Sequence, residues 1–117
     1  MTYPIYFLIF MNTLIFSEPS IDSCKEDNGT FFLTVYQKSV KCGFINILKE
    51  KGQVTFQFAC GGNNFGKGFS NLNEVDFEYK NQYLTMIKKT TNRTIFKIKC
   101  KQEIFDELKI FLADANL

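Results

Sequence analysis

The residues Gly61-Gly-Asn-Asn-Phe-Gly-Lys-Gly-Phe69 spell G-x-x-x-x-G-K, the spacing of a phosphate-binding loop, but Gly68 stands where the magnesium-holding Ser or Thr belongs. Such a loop also needs a helix after it, so that a helix N-terminus faces the phosphates; the next apolar pattern, from Glu74, alternates as a strand. Nucleotide chemistry is therefore not expected. The chain has no His, which removes Ser-His-Asp and Cys-His catalysis and imidazole metal sites together. The acid-base candidates that remain, Glu74, Asp76 and Glu78, project from one strand face without apolar neighbours to raise a carboxyl pKa. Asp22, Glu26 and Asp27 lack the spacing of a calcium loop. No cofactor, no metal and no enzymatic activity are expected, which leaves binding as the function class.

Four cysteines, Cys24, Cys42, Cys60 and Cys100, form an even set without any C-x-x-C spacing, which suits two disulfides in an oxidising compartment rather than a zinc or thioredoxin-type site. Met1 to Ser17 is almost wholly apolar, and composition changes abruptly at Glu18-Pro19; residues 1–17 read as a secretory signal peptide. The run is interrupted by Asn12 and Thr13 and is shorter than the roughly 20 apolar residues of a membrane span, so no stable span is expected once the leader is removed. Two sequons, Asn28-Gly29-Thr30 and Asn92-Arg93-Thr94, fall in turn-like stretches and are candidate glycosylation sites. Together these features predict one extracellular domain over residues 18–117.

A net charge of +2 over 117 residues gives no electrostatic reason for a nucleic-acid partner. Phe is abundant instead, 14 residues with no Trp. The elements that would position these rings are legible as short runs with period-two alternation. Thr30 to Tyr36 places Phe31, Leu33 and Val35 on one face and Phe32 on the other. Lys41 to Leu48 and Val54 to Cys60 follow, the latter with Val54, Phe56, Phe58 and Cys60 in one row. After the Gly-rich connection come Glu74 to Tyr79, Tyr83 to Lys88 and Thr94 to Cys100, in which acidic and basic outward rows flank the Tyr83 strand. From Gln102 the period changes: Ile104, Phe105, Leu108, Phe111 and Leu112 recur at helical spacing, so residues 102–114 are expected to form an amphipathic helix that covers a sheet.

The expected fold is mainly β (α+β), an antiparallel meander of six to seven strands, the seventh from the polar opening segment, curled into a small sandwich or barrel with one C-terminal helix. Element order from Thr30 to Ala113 resembles the pleckstrin-homology architecture, where a terminal helix plugs one end of bent sheets; Phe105, Leu108 or Phe111 would replace its usual inner Trp.

Four cysteines allow three pairings. If Leu48 faces Val54, then Phe44 faces Phe58 and Cys42 faces Cys60, leaving Cys24 for Cys100; the rival set joins Cys24 to Cys42 and Cys60 to Cys100. The Gly-rich loop, held at one end by Cys60, carries Phe65, Lys67 and Phe69 to a surface and is the candidate contact loop. The expected function is protein–protein binding by a secreted protein; Asn and Lys abundance, as in AT-rich genomes of parasites, associates it with a host-derived or cell-surface partner. The alternative is an extracellular carrier of a small apolar ligand inside a Phe-lined barrel.

Overall fold

The structure, a computed structural model, describes residues 18–60 and 64–114, and the segment expected to be a signal peptide lies outside them. Eight strands form one sheet: β1 Ser20–Asp27, β2 Thr30–Gln37, β3 Val40–Leu48, β4 Gln53–Cys60, β5 Asn64–Asn71, β6 Val75–Lys80, β7 Tyr83–Lys88 and β8 Arg93–Cys100. A single 3₁₀ turn, Leu72–Glu74, links β5 to β6, and the helix α1 spans Gln102–Asp114. The sequence leads one to expect this helix at these bounds.

The sheet order is β5-β4-β3-β2-β1-β8-β7-β6. Two antiparallel meanders, β1 to β5 and β6 to β8, are joined by a short parallel pairing, Ser20↔Lys99 and Ile21↔Cys100. Four strand positions separate β4 from β8, yet the Phe56 and Phe58 rings lie 5.4 and 5.5 Å from that of Phe96. The sheet must therefore curl over until its inner face closes on itself. That face holds the core, with Phe31, Leu33 and Val35 of β2, Val54 of β4, and Leu84 and Met86 of β7 all buried. Helix α1 caps it through Ile104, Leu108 and Phe111, and the Phe111 ring packs 5.2 Å from Phe31. Each such buried side chain contributes on the order of 1.5–3 kcal/mol.

Two-residue turns set three of the hairpins. Asn28-Gly29, Lys38-Ser39 and Asn81-Gln82 all have positive φ at both central residues, the pattern whose twist matches that of paired strands. Tyr79 ties β6 to the start of the helix: its hydroxyl donates to the Cys100 carbonyl at 2.7 Å, and its ring stacks on Phe105 at 5.1 Å.

Three expectations need correction. The strand count is eight rather than six or seven, because the opening segment forms β1 and the Gly-rich connection forms β5. In β5, glycine stands on the inward row because Phe rings already occupy that space. A Cβ on Gly66 would meet Phe58 at 3.3 Å, and one on Gly68 would meet Phe56 at 3.2 Å. Glycine's low strand propensity hides such an element from a local reading.

The register of the β3–β4 hairpin is one residue away from that expected. Leu48 faces Gln53, Ile47 faces Val54, Ile45 faces Phe56 and Gly43 faces Phe58. Ile45 and Ile47 are consequently the buried residues of β3, and Phe44 and Leu48 are not. The β-branched pair fits the core of a tightly paired central strand, and the slip exchanges the two faces. The Cys42–Cys60 disulfide nevertheless forms, with Cα atoms 5.1 Å apart. It does so because β3 carries an extra residue beside Gly43: Val35 pairs with Gly43 and Tyr36 with Lys41. That bulge returns Cys42 to the side of Cys60.

The third correction concerns Cys24 and Cys100, which are free thiols here. In the parallel β1–β8 pairing, Cys100 stands opposite Ile21. Cys24 faces Leu33, two ladder positions beyond the Val35 that Ile21 faces, so it lies roughly 7 Å further along β1 and one strand spacing of about 4.8 Å across, beyond the roughly 4.4–6.8 Å Cα spacing of a disulfide.

Candidate interaction face

The outward side chains of β2 to β5 form continuous cross-strand rows. One runs Phe32↔Asn46, Asn46↔Thr55 and Thr55↔Phe69. The next runs Thr34↔Phe44, Phe44↔Gln57 and Gln57↔Lys67. Across eight positions the face carries one charge, Lys67, while amide and hydroxyl groups alternate with three Phe rings. Phe69 is 68 % exposed and Phe32 36 %, whereas Phe44 is half-buried between its neighbours. A large ring left two-thirds in water on a strand is unusual for a side chain that gains from burial.

This face also reaches an edge. Among the described residues β5 pairs only with β4, so its other side presents unpaired backbone groups beside Phe69 and Lys67. Lys67 and Phe69 thus sit where the sequence leads one to expect a surface, although on a strand rather than a loop. Phe65 pairs through its backbone with Ala59; its side chain, like Gly61, Gly62 and Asn63, lies outside the described residues. Thr55 and Gln57 lie on the outward side that the alternation of Val54 to Cys60 gives them, whereas Phe44 and Asn46 were not expected here. The signal for Phe44 and Asn46 was the pair of β-branched residues at alternate positions, Ile45 and Ile47, whose burial puts the positions before and between them outward.

A second feature is a cleft of about 450 Å³ inside the curl of the sheet, lined by Phe56, Phe58, Phe96, Val35 and Ile98, with Lys97 and Lys99 at its mouth. Tyr83 closes one side. Its hydroxyl donates to both carboxylate oxygens of Glu18, at 2.6 and 2.9 Å, and that hydrogen bond, then burial, holds the phenol above its ordinary value of 10.0.

The acidic row on β6 does not converge. Asp76 faces Ile87 across the ladder, and Glu78 faces Thr85. Asp76 lies 3.8 Å from the Lys89 ammonium, and Glu74 accepts a hydrogen bond from Asn71 at 3.2 Å. Among the free thiols, burial and then the Cys24 and Asp22 charges push Cys100 up to about 12. Cys24 is also raised, by burial first and then by the Glu107 carboxylate. Both sequon residues, Asn28 and Asn92, are exposed in turns. No helix among the described residues is long and apolar enough to cross a membrane. No family model matches the chain, and neither a curated protein nor a solved structure was found to be similar to it.

Proposed function

We propose that this is a secreted, disulfide-stabilised binding protein that acts by protein–protein contact through the outward face of β2 to β5. The observation that carries the reading is Phe69, two-thirds exposed at an unpaired sheet edge and in one row with Phe32 on a face with a single charge. Exposed rings in a neutral hydroxyl and amide surround are the composition of an interface core, where aromatic anchors supply most of the binding energy. The Cys42–Cys60 bridge supports an oxidising compartment. The element order, two curled meanders followed by a helix, supports the pleckstrin-homology-like architecture as a fold reading.

The test is photo-crosslinking with benzoylphenylalanine placed at position 69, the protein being applied to extracellular fluid and cell surfaces. A protein adduct of defined mass is expected, suppressed by excess unlabelled protein but not by an excess of the Phe32→Ser, Phe69→Ser variant. An adduct pattern indistinguishable from that of a probe at Lys80 sinks the proposal.

One observation favours a second reading, carriage of a small apolar ligand: the interior cleft is walled by three Phe rings. Native mass spectrometry of protein purified from its own source distinguishes the two, since a carrier arrives with a bound small mass.

A further inference from the structure

Another concavity lies at the opposite end of the sheet from that cleft. It is a trough of about 980 Å³ where the β3–β4 turn, the 3₁₀ turn, the start of β6 and the last turns of α1 meet. The trough exists because β5 and β6 are the two unpaired ends of the sheet, and only the 3₁₀ turn spans them. The Leu72 amide donates to the Gly52 carbonyl at 2.7 Å, fixing one wall.

Its floor is apolar: Leu72, Phe77, Phe105 and Leu112 are each half-buried and Val75 is buried. Its rim is cationic. Lys49, Lys51, Lys89 and Lys109 line it against one carboxylate, Asp76, which is half-engaged by Lys89 at 3.8 Å. Four of the chain's 14 basic side chains thus gather at one opening of a protein whose net charge is only +2. They come from three separate elements, so offsetting the carbonyl end of α1 would explain Lys109 alone. Two ammoniums are held over rings rather than carboxylates: Lys49 Nζ lies 4.6 Å from the Phe111 centroid and Lys109 Nζ 5.8 Å from that of Phe105.

An apolar floor beneath a ring of ammoniums is complementary to one kind of molecule. We infer that the trough binds a single-chain anionic amphiphile, its carboxylate or phosphate head among Lys49, Lys51, Lys89 and Lys109 and its alkyl chain along Leu72, Phe77, Phe105 and Leu112. The volume lies within the roughly 300–1,000 Å³ of small-molecule sites. The site is independent of the outward face of β2 to β5 and separate from the Phe56, Phe58 and Phe96 cleft.

The experiment is an NMR titration of the disulfide-bonded protein with dodecanoate and with dodecyl phosphate, both below micelle formation. Dodecyl maltoside and inorganic phosphate test the charge and the chain separately. The expected result is shifts at Leu72, Phe77, Phe105 and Leu112, with both control ligands much weaker. The Lys51→Glu, Lys109→Glu variant changes two exposed side chains and should weaken dodecanoate by about tenfold at low salt while keeping the native spectrum. Vesicles carrying a lysophosphatidate identify the source. Lipid withdrawn into solution with the protein points to a membrane-borne ligand, whereas monomer binding without withdrawal points to a free one. The inference is overturned if dodecyl maltoside or inorganic phosphate binds as tightly as the anionic amphiphiles, if the shifts gather on Val35, Phe58 and Phe96, or if neither monomer nor vesicle lipid binds.

Discussion

Gly43 stands directly against Gln57: a Cβ at position 43 would lie 2.6 Å from the Gln57 carbonyl oxygen and 2.9 Å from the Phe58 ring. The neighbour is backbone of a paired strand and cannot swing aside. Gly43→Ala is therefore expected to lower stability by about 1–3 kcal/mol, the range for forcing extra volume into a packed site. Urea unfolding checks this, and an unchanged midpoint would show that β3 and β4 do not meet as described.

Loss of the bridge that spans this bulge has a separate expected cost. Cys42 and Cys60 enclose a segment with a sequence separation of 18, and closing a loop of that size restricts the unfolded chain. The Cys42→Ser, Cys60→Ser variant should lose about 2–4 kcal/mol under the same denaturant series. Reduction of the wild type should reproduce the shift.

The turns offer a stabilising change. Lys38 and Ser39 hold φ of 53° and 66°, a region that ordinary side chains enter at a cost, whereas the β1–β2 turn uses Asn28-Gly29 for the same geometry. Lys38→Asn with Ser39→Gly is expected to raise stability by about 1 kcal/mol, while Gly29→Ala, at φ 81°, should lower it by about as much. Thermal melts of the two variants should move in opposite directions.

Alkaline pH should destabilise the fold through Cys100. The unfolded thiol releases its proton near the ordinary 9.0, and the folded thiol keeps it until about 12. Between those values the unfolded chain binds fewer protons, so stability falls as pH rises through the window and is fully present below it. Cys100→Ala removes this contribution. The wild-type and variant stability curves should converge or cross between pH 9 and 12 rather than run parallel; parallel curves would mean that Cys100 is not buried as a thiol.

Much of the inner face is readable from alternation alone. Phe31, Leu33 and Val35, and again Phe96, Ile98 and Cys100, are apolar at every second position and are buried at every second position. The switch to helical spacing at Gln102 is equally local, and α1 buries Ile104, Leu108 and Phe111. Strand β1 was harder to read because its outward residues are mostly charged or polar and only Ile21 of its eight is buried. The Asn28-Gly29 pair that follows it was the signal, since that dipeptide is a strong short-range mark of a hairpin.

The candidate sites divide along the same line. Phe69 and Lys67 could be singled out by type, but the face they complete depends on the β3–β4 register, and that is set by a four-residue turn, Lys49–Gly52, and a bulge at Cys42 that no period reveals. The strand that carries them is hidden for a related reason: Gly66 and Gly68 extend the sheet only because Phe58 and Phe56 on the next strand fill the space above them. The lysine-rimmed trough lies further still from sequence, since Lys49, Lys51, Lys89 and Lys109 meet only when the two sheet edges are brought together under α1. By itself the sequence determined which residues seek the interior and where strand gives way to helix, because these follow from the periodicity of the local backbone. Tertiary structure decided which strands touch, in what register, and which surfaces result, because those depend on side chains far apart along the chain filling one another's space.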